Sequence, residues 1–124
     1  MANEITYQTK LKALKGNFFL PEQSSGGKTA TLSTGGSAQM EFDTVVGTAA
    51  SITFTGLTTP RWCRIVNVHD TASFEFGVFD AGAFRVVGEL KPAEEAMWPL
   101  KAGVVLYHKG IGAVSKGIAT ALET

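Results

Sequence analysis

Apolar and polar residues alternate with a period of two through most of the chain. In EITYQTKLKAL, Ile5, Tyr7, Thr9, Leu11 and Ala13 alternate with Thr6, Gln8, Lys10 and Lys12, the pattern of a strand buried on one face. Phe18, Phe19, Leu20 and Pro21 make a short apolar knot, and Ser24-Ser25-Gly26-Gly27 and Ser33 to Ser37 read as loops. In QMEFDTVV, Met40, Phe42, Thr44 and Val46 are expected to face one way and Glu41 and Asp43 the other. Ile52 and Phe54 predict a short strand ended by Gly56. RWCRIVNV is apolar on both alternations, as for a strand covered on both sides.

SFEFGVFDAGAFRVVGEL, residues 73 to 90, predicts a hairpin. Phe74, Phe76 and Val78 line one arm and Phe84, Val86 and Gly88 the other. Asp80-Ala81-Gly82 forms the turn, where glycine adopts positive φ without steric cost. Two further short strands run from Ala96 to Leu100 and from Val104 to Tyr107. At the C-terminus, Val114, Ile118 and Leu122 fit both helical and period-two spacing, but Gly117 and Thr120 weaken a helix and favour a strand. Nine to eleven short strands with Gly, Pro and Ser punctuation predict an all-β fold, a single antiparallel β-sandwich of jelly-roll-like form. Phe42, Phe54, Trp62, Val66, Phe76, Phe84 and Trp98 are its expected core.

With 124 residues, the chain is expected to form one domain over 1–124, with 1–27 an N-terminal strand and arm used in subunit contacts. Hydrophobic residues make up 44% and the mean hydropathy is +0.11, so apolar surface is expected to remain after the core is filled. Eleven basic and eleven acidic residues cancel and are spread along the chain, which argues against nucleic acid as a partner. Lys10, Lys12 and Lys15 read as a solvated strand edge. No stretch has the length or apolarity of a membrane helix or leader, so a soluble chain made in a cytoplasm, with no membrane partner, is expected.

Candidate chemistry is sparse. Cys63 is the one cysteine and His69 and His108 the only histidines, so no metal-ligand spacing arises. Both histidines are expected in solvated turns or strand ends, and Cys63 as a small hydrophobe. KPAEEAMWP resembles the Pro-Gly-Glu turn of cupin barrels, but the metal-binding histidines are missing. Glu94 and Glu95 could serve as an acid–base pair, but as adjacent carboxylates on an exposed turn they are expected to face solvent. Serines 24, 25, 33 and 37 lack a nucleophile elbow, and Gly26-Gly27-Lys28-Thr29 fails the phosphate-loop spacing. The expectation is no catalytic residue, no cofactor and no metal.

The segment from Thr58 to Val105 resembles small virion structural proteins of tailed bacteriophages. The likeness rests on Trp62, Arg64, Asn67 and Asp70, then Phe76-Gly77, Phe84, and the turn Leu90-Lys91-Pro92 with Glu94. Ala93 stands where those proteins usually carry Gly. MANEITYQT also resembles their N-terminal strand. The resemblance implies a non-enzymatic virion part, a capsid decoration (cement) protein or a tail- or neck-associated one. It implies a homotrimer located in the virion, with the major capsid protein or another virion protein as partner. Phe18, Phe19, Leu20 and Pro21 are the expected subunit contact, the alternative being that Phe18 and Leu20 plug one end of the sandwich. A reading of another class is a carbohydrate-binding β-sandwich, with Trp62, Trp98 and Tyr107 as stacking candidates.

Overall fold

The structure is a computed structural model that describes residues 4–8, 10–15, 18–24, 28–31 and 37–123. The chain divides into two compact units, Met1–Ser33 and Thr34–Thr124. In the first, β1 (Glu4–Tyr7) pairs antiparallel with β4 (Lys28–Thr31), and β2 (Lys10–Lys15) with β3 (Phe18–Ser24). The alternation from Ile5 to Ala13 is therefore divided between two strands with different partners. A register shift between Leu11 and Ala13 interrupts it again.

The second unit is an antiparallel β-sandwich. Its strands are β5 (Ser37–Asp43), β6 (Ala50–Ser51), β7 (Trp62–Asn67), β8 (Phe74–Asp80), β9 (Ala83–Leu90), β10 (Glu95–Pro99), β11 (Tyr107–Gly110) and β12 (Lys116–Leu122). One four-stranded sheet has the order β10-β7-β12-β5 and the other β6-β11-β8-β9. The strands thus pair first with last, second with seventh, third with sixth and fourth with fifth. No helix occurs among the described residues, and the C-terminal segment is strand, as the weak helix formers suggested.

Aromatic rings join the layers. Phe42 of β5 meets Phe74 of β8 edge-on, with ring centroids 5.5 Å apart, a geometry that sets the positive ring edge on the negative face. Cys63, Ile65, Leu90, Ala119 and Ala121 complete the packing with Phe76. Two glycines make room for the large rings. Gly117 lies opposite Phe42, and Gly88 opposite Phe76. A Cβ at either position would strike the ring beside it.

The β8–β9 hairpin closes through Ala81 and Gly82, with φ of 52° and 77° between the paired Asp80 and Ala83. Positive φ at both central residues is the I′ requirement that matches strand twist. Phe74 and Phe76 point into the core and Val78 is half-buried, as expected. The second arm departs from expectation. The register shifts where Gly88 pairs with Phe76 but Val86 with Gly77, leaving Val87 as a bulge that reverses the alternation. Gly88 and Leu90 face inward, whereas Val86 is exposed and the Phe84 ring lies over Gly77 on the outer side.

Other core expectations divide similarly. Phe42, Phe54 and Phe76 are buried, while Trp62 and Val66 are half-buried. On β7 only Cys63, Ile65 and Asn67, which face the opposite sheet, are fully buried. The Trp98 side chain lies outside the described residues. Ile52 and Phe54 are buried without being strand. Val46 is exposed because β5 ends at Asp43 and the chain turns through the Val45–Thr48 bridge.

Candidate interaction surface

At one end of the sandwich lie the connections 44–49, 68–73 and 111–115, together with the turn 91–94, whose Ala93 amide and Glu94 carbonyl bond the backbone of Asn67. Thr44 and Ser115, both buried, lock the first and third together. The Thr44 amide donates to the Ser115 carbonyl at 2.9 Å, and the Ser115 amide to Thr44 Oγ1 at 2.8 Å. The Gly110 amide donates to the Val45 carbonyl at 3.0 Å, and the Val68 amide to the Lys116 carbonyl at 2.9 Å.

Beneath these loops sits Asn67, fully buried. Its Nδ2 donates to the carbonyls of Ala72 at 2.8 Å and Leu90 at 2.9 Å. Its Oδ1 accepts from the His69 amide at 2.9 Å and from Ser115 Oγ at 3.1 Å. The amide is thereby satisfied on both atoms, and it ties β7 to β9 and to two of the loops.

This rigid end presents Val45, Val46, Val68, Ile111 and Val114, between 39% and 55% exposed. Backbone bonds hold their connections side by side, so the five branched aliphatic side chains crown one end of the fold. Stiff side chains on hydrogen-bonded loops lose little entropy when covered. Sequence reasoning passed over all of them except Val46 and Val114, and placed Val46 in a strand. Their signal was the apolar residues inside glycine-punctuated turns, VVG at 45–47 and GIGAV at 110–114.

The outer faces of the two sheets differ in character. Sheet β10-β7-β12-β5 carries exposed ion pairs, Arg64–Glu95 at 2.5 Å and Lys116–Glu41 at 2.7 Å. The hydrogen bond from Lys116 to Glu41 holds the ammonium's pKa above its ordinary value. The other sheet carries Phe79 with Tyr107 at 4.6 Å and with Phe84 at 6.1 Å, and Lys109 Nζ stands 5.9 Å from the Phe84 ring. Val86, Val87, Val104 and Val105 add exposed apolar area nearby. A shallow depression of about 660 Å³ beside Phe79 is lined by Asp80, Arg85, Val104 and Tyr107.

The reactive residues are dispersed. Glu94 accepts from the Lys91 amide at 2.8 Å while Glu95 pairs with Arg64, so the adjacent carboxylates serve a turn and a strand pair. Cys63 is buried, and desolvation pushes its thiol up to about 12, leaving it protonated and unreactive. His69 is half-buried, and its Nδ1 accepts from the Thr71 and Ala72 amides at 3.1 and 2.9 Å. His108 is not at a solvated strand end: it faces inward from β11 and is 3% exposed. Its immediate strand neighbours, Tyr107 and Lys109, are the outward-facing residues.

The described residues contain no cluster of three potential metal ligands and no helix able to cross a membrane. Phe18 to Pro21 begin β3, but their side chains lie outside the described residues, as do those of Lys10, Lys12, Lys15, Lys28 and Thr29. Ser25, Gly26, Gly27 and Ser33 lie outside them altogether, as does the side chain of Ser24, while Ser37 opens β5. Comparison with known proteins finds no family model and no curated protein that matches the chain.

Proposed function

We propose that the chain is a non-enzymatic structural protein of a tailed-phage virion, a capsid decoration (cement) protein on a jelly-roll-like sandwich. In this reading it assembles as a homotrimer and binds the major capsid protein or a neighbouring virion protein. The observation that carries it is the crown of exposed valines and isoleucine on loops fixed by buried hydrogen bonds. Exposed apolar groups gathered on hydrogen-bonded loops suit a surface that a partner covers. Binding only the assembled shell stabilises that shell by mass action, with no catalytic group required. The pairing of first strand with last and second with seventh supports the jelly-roll-like reading, and the resemblance over Thr58 to Val105 adds the virion context. Trimer formation follows by analogy with decoration proteins at three-fold positions. A tail or neck location would use the same surface.

A carbohydrate-binding reading draws on Phe79, Phe84 and Tyr107, which form an aromatic group on an outer sheet face. The experiment that decides is labelling of intact phage particles with an antibody against this chain, alongside a glycan array. Regular labelling of shells, with no glycan bound, is expected. Particles without the chain would overturn the virion assignment, and glycan binding would favour the second reading.

A further inference from the structure

His108 stands between the two sheets. Its ring stacks on Phe42 of the facing sheet, with centroids 4.1 Å apart and planes 14° from parallel. Phe42 itself is wedged against Phe74 and over Gly117. The imidazole therefore sits on the ring that holds the layers together. Its Nδ1 is buried and has no hydrogen-bond partner among the described residues.

The surroundings are suited to a neutral ring only. Every charged side chain on the neighbouring strands lies off the core face. On β5, Glu41 and Asp43 alternate with inward Phe42 and are exposed. On β8, Glu75 lies between inward Phe74 and Phe76, and Asp80 is exposed at the hairpin. On β11, Lys109 turns outward, and on β12, Lys116 pairs with Glu41 at the surface. The two residues of β6, Ala50 and Ser51, carry no charge. No carboxylate among these faces the imidazole, so a proton there adds a buried charge that no described side chain on these strands offsets.

We propose that His108 is an acid-sensitive latch in the inter-sheet core: the sandwich is closed while the imidazole is neutral and loosens when it takes up a proton. Burial moves the His108 pKa below its ordinary 6.5, in agreement with the geometry. The unfolded chain then binds more protons than the folded one just below pH 6.5. Stability is full above that value and falls with pH until the folded-state pKa is passed. Each pH unit inside that window should lower the folding constant about tenfold.

The test is the urea midpoint measured between pH 7.5 and 5 for the wild type, His108→Phe and His69→Gln. The His69 variant serves as a control because it removes the other histidine of the chain. The wild type and the His69→Gln variant should lose stability together on acidification, while the His108→Phe profile should be flatter over the same range. Equal slopes in wild type and His108→Phe would overturn the proposal. If His108→Phe fails to fold, NMR titration of the wild-type imidazoles decides. A His108 that titrates in the folded protein at 6.5 or above refutes the latch, and one that titrates well below supports it.

Discussion

Ala93 occupies a backbone position made for glycine. Lys91, Pro92, Ala93 and Glu94 form a turn closed by the Glu94 amide and the Lys91 carbonyl at 3.0 Å, with Ala93 at a φ of 67°. Proline at the second position and positive φ at the third define a type II turn, in which a Cβ is unfavourable. Ala93→Gly should therefore stabilise the protein by about 0.5–1 kcal/mol, the strain relieved less the added freedom of the unfolded chain. Urea unfolding checks this, and a lower midpoint would count against the turn assignment. The turn itself was legible from Lys91-Pro92, but the left-handed φ of Ala93 was not. Asn67 is a similar case: its letter sits in an apolar run, and its role depends on Ala72 nearby and on Leu90 and Ser115, distant in sequence.

At the scale of elements, pairs of glycine and phenylalanine set how closely strands approach. Phe42 on β5 lies across Gly117 of β12, so a methyl at Gly117 would enter space the ring now fills. Gly117→Ala should cost about 1–3 kcal/mol, typical of overpacking, and should displace Phe42 from His108. The thermal midpoint and the near-ultraviolet circular dichroism of the aromatic core measure both effects. An unchanged midpoint would show that the ring swings aside freely. Period two located these strands well, from Met40–Phe42 to Phe74–Phe76. It failed on β9, because one inserted residue, Val87, turns the pattern over. The inward Gly88 and outward Val86 follow from the bulge, which leaves no mark in apolar spacing.

For the whole molecule, the crowned end should be separable from folding. Val45 and Val114 are exposed on loops whose backbone bonds do not involve their side chains. Val45→Ser with Val114→Ser should leave the unfolding midpoint within about 0.5 kcal/mol of wild type, the usual range for surface changes. The same variant should weaken particle binding or self-association at least tenfold, as read by co-sedimentation and analytical ultracentrifugation. Full binding by the folded variant would move the contact elsewhere, to the Phe79–Tyr107 face or to the Phe18–Pro21 segment.

Taken alone, the sequence determined the class of fold, because strand alternation and turn residues act within a few positions of one another. Phe42, Phe54 and Phe76 were identifiable as core, the hairpin was identifiable about Asp80 to Gly82, and the C-terminal strand followed from weak helix formers. Tertiary structure alone decided which sheet each strand joins and where Val87 bulges. It also decided that His108 is enclosed and that loop valines gather at one end. Those outcomes depend on pairing between distant segments: β5 meets β12 across more than seventy residues, and no local pattern encodes that register. Burial of His108 has the same origin, since the wall it faces, Phe42, belongs to the opposite sheet.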